Sequence, residues 1–154
     1  MDEPVEIAPG VRALDHTADV GIEVRAASPA QLFHRAALGM LALLEDAEAA
    51  AAEPGASAEP AAGEAHAREL ALDAEDLAML LVLWLRELLY LYEVERFRYR
   101  AAEFARLDER GLQARVRGEP ARAAMLGELK AVTYHGLAVE RDGGGWYARV
   151  IFDV

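Results

Sequence analysis

The sequence lacks cysteine altogether, so its 154 residues can form no disulfide, no thiolate nucleophile and no zinc–thiolate site. This absence fits a reducing compartment such as the cytoplasm. Positive charge is scarce as well, because 16 basic residues stand against 27 acidic ones and the net charge is −11. Nucleic-acid binding depends on neutralising phosphates, so we expect any role near RNA to act through a protein partner or a bound cation.

Long hydrophobic runs are also few. The longest, residues 77–92, is short for a bilayer span and contains Arg86 and Glu87, which indicates a core helix rather than a membrane helix. The first ten residues, MDEPVEIAPG, are acidic and contain proline, so they do not resemble a signal peptide. The length suits one domain that spans residues 1–154.

Two helices can be predicted from their start signals. Ser28, Pro29 and Gln31 have the spacing of a capping box, and the helix that follows should run to about Leu44. Asp73 is the expected N-cap of a second helix, over residues 74–93, which is apolar on most of its faces. Such a helix is either central in the core or covered by a partner.

The segment between the helices, residues 47–67, reads AEAAAAEPGASAEPAAGEAHA. It contains no large apolar side chain, so it cannot bury enough surface to order itself. We predict a flexible internal loop rich in Ala, Pro and Glu, which lies within the domain rather than between two domains.

Strand patterns occur on both sides of these helices. Residues 20–26 alternate apolar and polar side chains, and two later strands are predicted around a turn at residues 108–111. The sequence DGGG at residues 142–145 predicts a last hairpin. The element order β-α-β-α-β-β-β-β indicates an α+β fold of two layers, in which two main helices pack on a mostly antiparallel sheet.

The strands around residues 108–111 bring four arginines to one face of the sheet, namely Arg98, Arg100, Arg115 and Arg117. A solvated strand face is the simpler interpretation. A docking surface for an acidic partner is the alternative.

The sequence LDHTADVGIEV leads into the first predicted strand and places Asp15, His16 and Asp19 just before its first residue. The last strand ends in Asp153, and Val154 brings the chain's own carboxylate. Carboxylates held close together repel unless a cation joins them, and oxygen-rich sites suit Ca²⁺, Mg²⁺ or Mn²⁺. Asp19, Asp153 and Val154 are therefore candidate ligands of one divalent cation. In the simpler interpretation, both early aspartates occupy turn and strand-edge positions and His16 makes an ordinary hydrogen bond.

Lys130 is the only lysine in the chain, and its compact ammonium differs from the planar guanidinium used elsewhere. A functional role for this lysine and its presence by chance are both open explanations. A hairpin centred on residues 143–144 pairs residues whose numbers sum to 287, which places Tyr134 opposite Asp153. In that register Lys130 and Val132 share the face of Asp153, and Lys130 lies about 13 Å along the strand at about 3.3 Å per residue.

Five segments, in the same order, resemble the archease family: LDHTADVGIEVRA, LFHRAALGMLALL, LLVLWLRELLYLYEVERF, LKAVTYHGLAVER and the terminal VIFDV. They cover most of the chain outside the alanine-rich loop, and DHTADVGI, KAVTYH and the Asp-Val end are specific in combination. The resemblance implies a compact α+β domain with a strand–helix–strand–strand module inserted in a sheet.

The resemblance also implies a function. Archeases assist RtcB-type GTP-dependent RNA ligases, which use manganese to guanylylate an active-site histidine. A family member would speed this guanylylation and support multiple turnover, in tRNA splicing or RNA repair, without being an enzyme itself. It would bind one divalent metal ion through the positions that match Asp19, Asp153 and Val154, and Lys130 matches the family's functional lysine. The ligase would be its partner, RNA would be reached only through the ligase, and no membrane would be involved.

Two interpretations of other classes stay open. One is a chaperone or protein-interaction module without a functional metal site, whose contact is the apolar second helix or the arginine face. The other is a metal-dependent phosphoesterase, in which three oxygen ligands and Lys130 activate a water. No Ser–His–Asp arrangement, phosphate-binding glycine loop or general base is visible in the sequence to support catalysis.

Overall fold

The structure, a computed structural model, describes residues 5–15, 19–45, 66–121 and 131–153. Two α-helices and nine strands lie in these ranges. Their order is β1 (Val5–Ala8), β2 (Val11–Asp15), β3 (Asp19–Ala26), α1 (Pro29–Leu44), β4 (Ala67–Asp73), α2 (Leu77–Val94), β5 (Phe97–Asp108), β6 (Gly111–Pro120), β7 (Ala131–Val132), β8 (Ala138–Asp142) and β9 (Gly145–Asp153).

Helix α1 begins where the capping box predicts. The Ser28 side chain accepts a hydrogen bond from the backbone N–H of Gln31 at 3.2 Å, and the Gln31 side chain accepts one from the N–H of Ala27 at 2.7 Å. Pro29 is the first helical residue, and the helix ends at Leu44. Both predicted ends of α1 are therefore confirmed.

Helix α2 begins three residues later than predicted. Asp73 does not cap it, because Asp73 is the last residue of β4. The N–H of Ala74 still donates to the carbonyl of Arg110 at 3.0 Å, so strand-type pairing continues past that position. Asp76 is the N-cap instead and accepts from the N–H of Met79 at 2.8 Å.

The larger sheet joins strands from the beginning and the end of the described chain. Its order is β1-β2-β3-β9-β7, with β8 also paired to β9, and every pairing is antiparallel. The predicted element order omits β1 and β2, which have four and five residues and are joined by a turn with Gly10 at φ +72°. It also treats β7 and β8 as one strand, whereas a turn divides them.

Strands β4, β5 and β6 form a separate antiparallel sheet in the order β4-β6-β5. With α2 they are the strand–helix–strand–strand module implied by the resemblance, inserted between α1 and β7. The α+β class is confirmed, with two sheets where one was predicted. Most of the predicted loop at residues 47–67 lies outside the described residues, but Ala67 already belongs to β4.

Aromatic side chains join the module to the rest of the core. Trp84 of α2 is fully buried and donates from Nε1 to the carbonyl of Phe33 in α1 at 3.0 Å. The rings of Phe33, Tyr99 and Phe104 have centroids between 5.3 and 6.1 Å from that of Trp84. Nine residues of α2 are buried, so the chain's own core covers most of its apolar surface, while Tyr90 and Val94 stay exposed. Neither described helix is long and apolar enough to cross a membrane.

His34 of α1 lies half-buried beside this cluster. Its Nδ1 is 2.8 Å from the hydroxyl of Tyr99, whose pKa is raised by burial, so the phenol stays neutral and can donate to the imidazole. Burial, and then the positive charge of Arg35, lower the pKa of His34 below its ordinary value of 6.5.

We predict that acidification from about pH 7.5 to about pH 5.5 lowers the free energy of unfolding through His34. Because the folded-state pKa lies below the unfolded value of 6.5, the unfolded state binds the proton more readily. This contribution to stability is complete above the unfolded pKa and is lost as the pH falls through the folded one. In urea denaturation, acidification should lower the free energy of unfolding of His34→Gln by less than that of the wild type. His135→Gln, at an exposed position, should show the wild-type decrease. An unchanged pH dependence in His34→Gln would contradict this assignment.

Candidate metal site

Strand β9 has a paired strand on each of its sides, and it carries Asp153. On one side it pairs with β3, from Ala26 opposite Trp146 to Asp19 opposite Asp153. On the other side it pairs with β8 and then with β7, whose Ala131 lies opposite Asp153. Backbone pairing therefore holds Asp153 from both sides. The prediction that the last strand is held in place is confirmed as far as Asp153.

Asp19 and Asp153 are direct partners in the β3–β9 ladder. Directly opposed residues of antiparallel strands share one face of the sheet with Cβ atoms about 4.5–5.5 Å apart, and like charges at such positions are destabilising. Asp153 is exposed, and no hydrogen bond or ion pair joins its side chain to another described residue. The two positions therefore fit a divalent cation, which would neutralise the pair and accept oxygen ligands.

The register at Asp153 differs from the predicted one. Near the hairpin turn the residue numbers of paired residues sum to 287, as predicted, for example Asp142 with Gly145. At the other end the sum is 284, because Asp153 pairs with Ala131. The prediction that Tyr134 faces Asp153 is therefore wrong.

A tight turn between β7 and β8 causes this change of register. The N–H of Leu137 donates to the carbonyl of Tyr134 at 3.2 Å, and Gly136 has φ +60°, a left-handed conformation that favours glycine. Val132 consequently pairs with Phe152, and both side chains are buried. Since successive residues of a strand point to opposite faces, the predicted placement of Val132 on the face of Asp153 is wrong too.

Three candidate residues lie outside the described ranges: His16, Lys130 and Val154. Their proposed roles stay predictions. Ala131, which follows Lys130 in the sequence, is the partner of Asp153, so the register from which the position of Lys130 was predicted is wrong. Among the described residues there is no group of three or more His, Asp or Glu side chains that could hold a metal ion.

The four arginines of the predicted arginine face are all paired with carboxylates. The pairs are Arg98 with Glu45 and Glu119, Arg100 with Glu119, Arg115 with Glu69, and Arg117 with Glu103, at 2.7–3.7 Å. Burial opposes the charge of Arg98, but the hydrogen bonds and attraction of Glu45, and then Glu119, outweigh it and raise its pKa. This charge balance favours the solvated face over a docking surface for an acidic partner.

An open cavity of about 540 Å³ lies beside the smaller sheet. Residues of β4, β5 and β6 line it, and none comes from β3, β7 or β9. Its charged lining includes Arg115 and Glu69, which pair with each other at 2.9 Å. The cavity is therefore separate from the acid pair.

Sequence reasoning missed one residue at this edge of the sheet, Arg86 of α2. Its guanidinium contacts the carbonyl of Val132 in β7 and the hydroxyl of Tyr134. The only sign of it in the sequence is a charged residue inside an apolar run, which does not indicate what the charge contacts.

Similarity to known proteins extends over most of the chain and is not confined to the site. The model of the Archease protein family matches residues 12–154. The chain belongs to the archease family. The matched range includes every candidate ligand of the metal ion and Lys130.

Curated archease relatives agree with the family model. Protein archease of Methanosarcina mazei is 34% identical over 148 residues, covering 92% of this chain and 93% of that protein. Protein archease of Methanopyrus kandleri is 33% identical over 149 residues, covering 92% and 96%. The solution structure of Methanobacterium thermoautotrophicum protein 1598 matches with a TM-score of 0.70 at 27% identity, covering 96% of this chain and 100% of that one. The predicted archease membership and fold are confirmed.

We predict that divalent cations stabilise this archease only while Asp153 is intact. A ligand that binds the folded state at 100 times its Kd adds about 2.7 kcal/mol to the free energy of unfolding. Thermal denaturation with Mn²⁺ or Ca²⁺ should therefore raise the Tm of the wild type but not that of Asp153→Asn, which keeps the side-chain size and loses the charge. Glu140→Gln, which removes an exposed acid on β8, should keep the shift. A wild-type shift in Asp153→Asn would exclude Asp153 as a ligand.

Proposed function

We propose that this archease-family chain is an accessory protein that activates an RtcB-type RNA ligase by promoting ligase guanylylation and multiple turnover. In this proposal it is not an enzyme itself. Family membership supports the class of partner. The observation that carries the metal site is the direct pairing of Asp19 with Asp153 on adjacent strands.

One divalent cation would be held by Asp19, Asp153 and the carboxylate of Val154. These are hard oxygen ligands, which suits Ca²⁺, Mn²⁺ or Mg²⁺. A cation bound there supplies positive charge that attracts phosphate oxygens. Strand β9 contributes rigidity, because pairing on both sides fixes Asp153 before any ligand binds. Less conformational freedom is then lost on binding.

Lys130 would hold an anionic group, such as a phosphate of the nucleotide bound to the ligase, beside the acid pair. A compact ammonium with three donors suits a phosphate. The resemblance to the archease family supports this role, because Lys130 matches the position of the family's functional lysine.

The chain would reach RNA only through the ligase. Its net charge of −11 opposes direct contact with a phosphate backbone. The biological process would be tRNA splicing or RNA repair in the cytoplasm. The alternative interaction module has less support, since most of the apolar surface of α2 is buried in the chain's own core. The arginine face is paired with the chain's own carboxylates.

We predict that Asp19→Ala and Asp153→Ala each slow formation of the covalent ligase–GMP adduct about tenfold or more. Changes to groups that only support a metal ligand already cost about 10–100-fold in affinity or activity, so loss of a ligand should cost at least as much. The rate would be measured in single turnover with labelled GTP and the cognate ligase. Glu140→Gln should keep the wild-type rate. Wild-type rates from both aspartate variants would refute the site.

A further inference from the structure

Arg86 reaches from α2 to the side of β7 that faces away from β9. In the described sheet β7 pairs only with β9, and the carbonyl of Val132 accepts hydrogen bonds from Arg86 Nε at 3.4 Å and Nη2 at 3.2 Å. The N–H of Thr133 faces the other way and donates to the carbonyl of Ile151 in β9 at 3.0 Å. The guanidinium therefore occupies the position that another strand would take beside β7.

Tyr134 completes the contact. Its hydroxyl accepts a hydrogen bond from Arg86 Nη1 at 2.9 Å, and the guanidinium carbon lies 4.7 Å from the centroid of the ring. A single side chain of the inserted module thus binds a backbone carbonyl and an aromatic side chain of the segment that leads away from β7.

In the part of the chain that the structure describes, β7 comprises Ala131 and Val132. One of them is the partner of Asp153 and the other is held by Arg86. Movement of β7 away from β9 would remove the backbone pairing on one side of Asp153 and would displace the chain that continues to Lys130.

We propose that Arg86 is a positioning residue of the metal site, which clamps β7 against β9 and so fixes the segment after Lys130 beside Asp153. This inference rests on the proposed metal site. The clamp itself can be measured in the metal-free protein, which separates the two.

The first test is amide hydrogen exchange without metal. Arg86→Ala should exchange the Thr133 amide about tenfold faster than the wild type, as expected for the loss of a hydrogen bond to a charged group. Tyr134→Phe keeps the ring, loses the hydroxyl contact and should give a smaller increase. The matched control is Arg141→Ala, because Arg141 also lies over an aromatic ring, that of Trp146 at 5.2 Å, beside the hairpin turn. Wild-type exchange at Thr133 in Arg86→Ala would overturn the clamp.

The second test is calorimetric titration with Mn²⁺. Arg86→Ala should bind Mn²⁺ about tenfold more weakly, the usual cost of losing a group that orients a ligand, with an unchanged circular dichroism spectrum. Arg86→Lys keeps the positive charge but lacks the planar, forked set of N–H donors of a guanidinium. It should therefore restore only part of the affinity for Mn²⁺. Faster exchange with wild-type Mn²⁺ affinity in Arg86→Ala would overturn the positioning role. Wild-type Mn²⁺ binding by Asp153→Asn would instead refute the proposed metal site.

Discussion

The pairing of β9 on both of its sides is the constraint on which the rest of the structure depends. Ala148, Val150 and Phe152 are fully buried on one face of this strand. A slip of one residue would turn that apolar set away from the core, so burial fixes the register against β3. The same register places Asp19 opposite Asp153. The core therefore imposes an opposition of two aspartates, and the cation proposed above would offset the cost of their like charges.

Several charges elsewhere on the described surface are paired locally. At the hairpin end of the same ladder Arg25 forms an ion pair with Asp142, and Glu23 accepts a hydrogen bond from the hydroxyl of Tyr147 at 3.0 Å. The arginines of the smaller sheet pair with neighbouring glutamates. Asp153 is exposed and has no such partner among the described residues, as is also the case for surface acids such as Glu75, Glu109 and Glu140. What distinguishes Asp153 from such acids is its place directly opposite another aspartate, Asp19, in a protein whose net charge is −11.

Sequence patterns predicted the structure well where residues close together in the sequence determine it. The Ser28 cap and the register beside the Gly143–Gly144 turn depend on a few consecutive residues, and both predictions are confirmed. Predictions failed where distant segments compete. Asp73 and Asp76 can both cap a helix, and only the pairing of β4 with β6 decides between them. The turn with Gly136 changes the register by three residues, and the target of Arg86 depends on how α2 packs. The acid pair could be approached from charge and family resemblance, but only tertiary pairing shows Asp19 opposite Asp153.

The most direct measurement of the central claim is anomalous X-ray diffraction from crystals soaked in Mn²⁺. The account predicts an anomalous peak bridging carboxylate oxygens of Asp19 and Asp153, at the end of the β3–β9 ladder away from the hairpin turn. A well-ordered structure in which these two aspartates bind no metal, with manganese bound elsewhere on the chain or not at all, would contradict it.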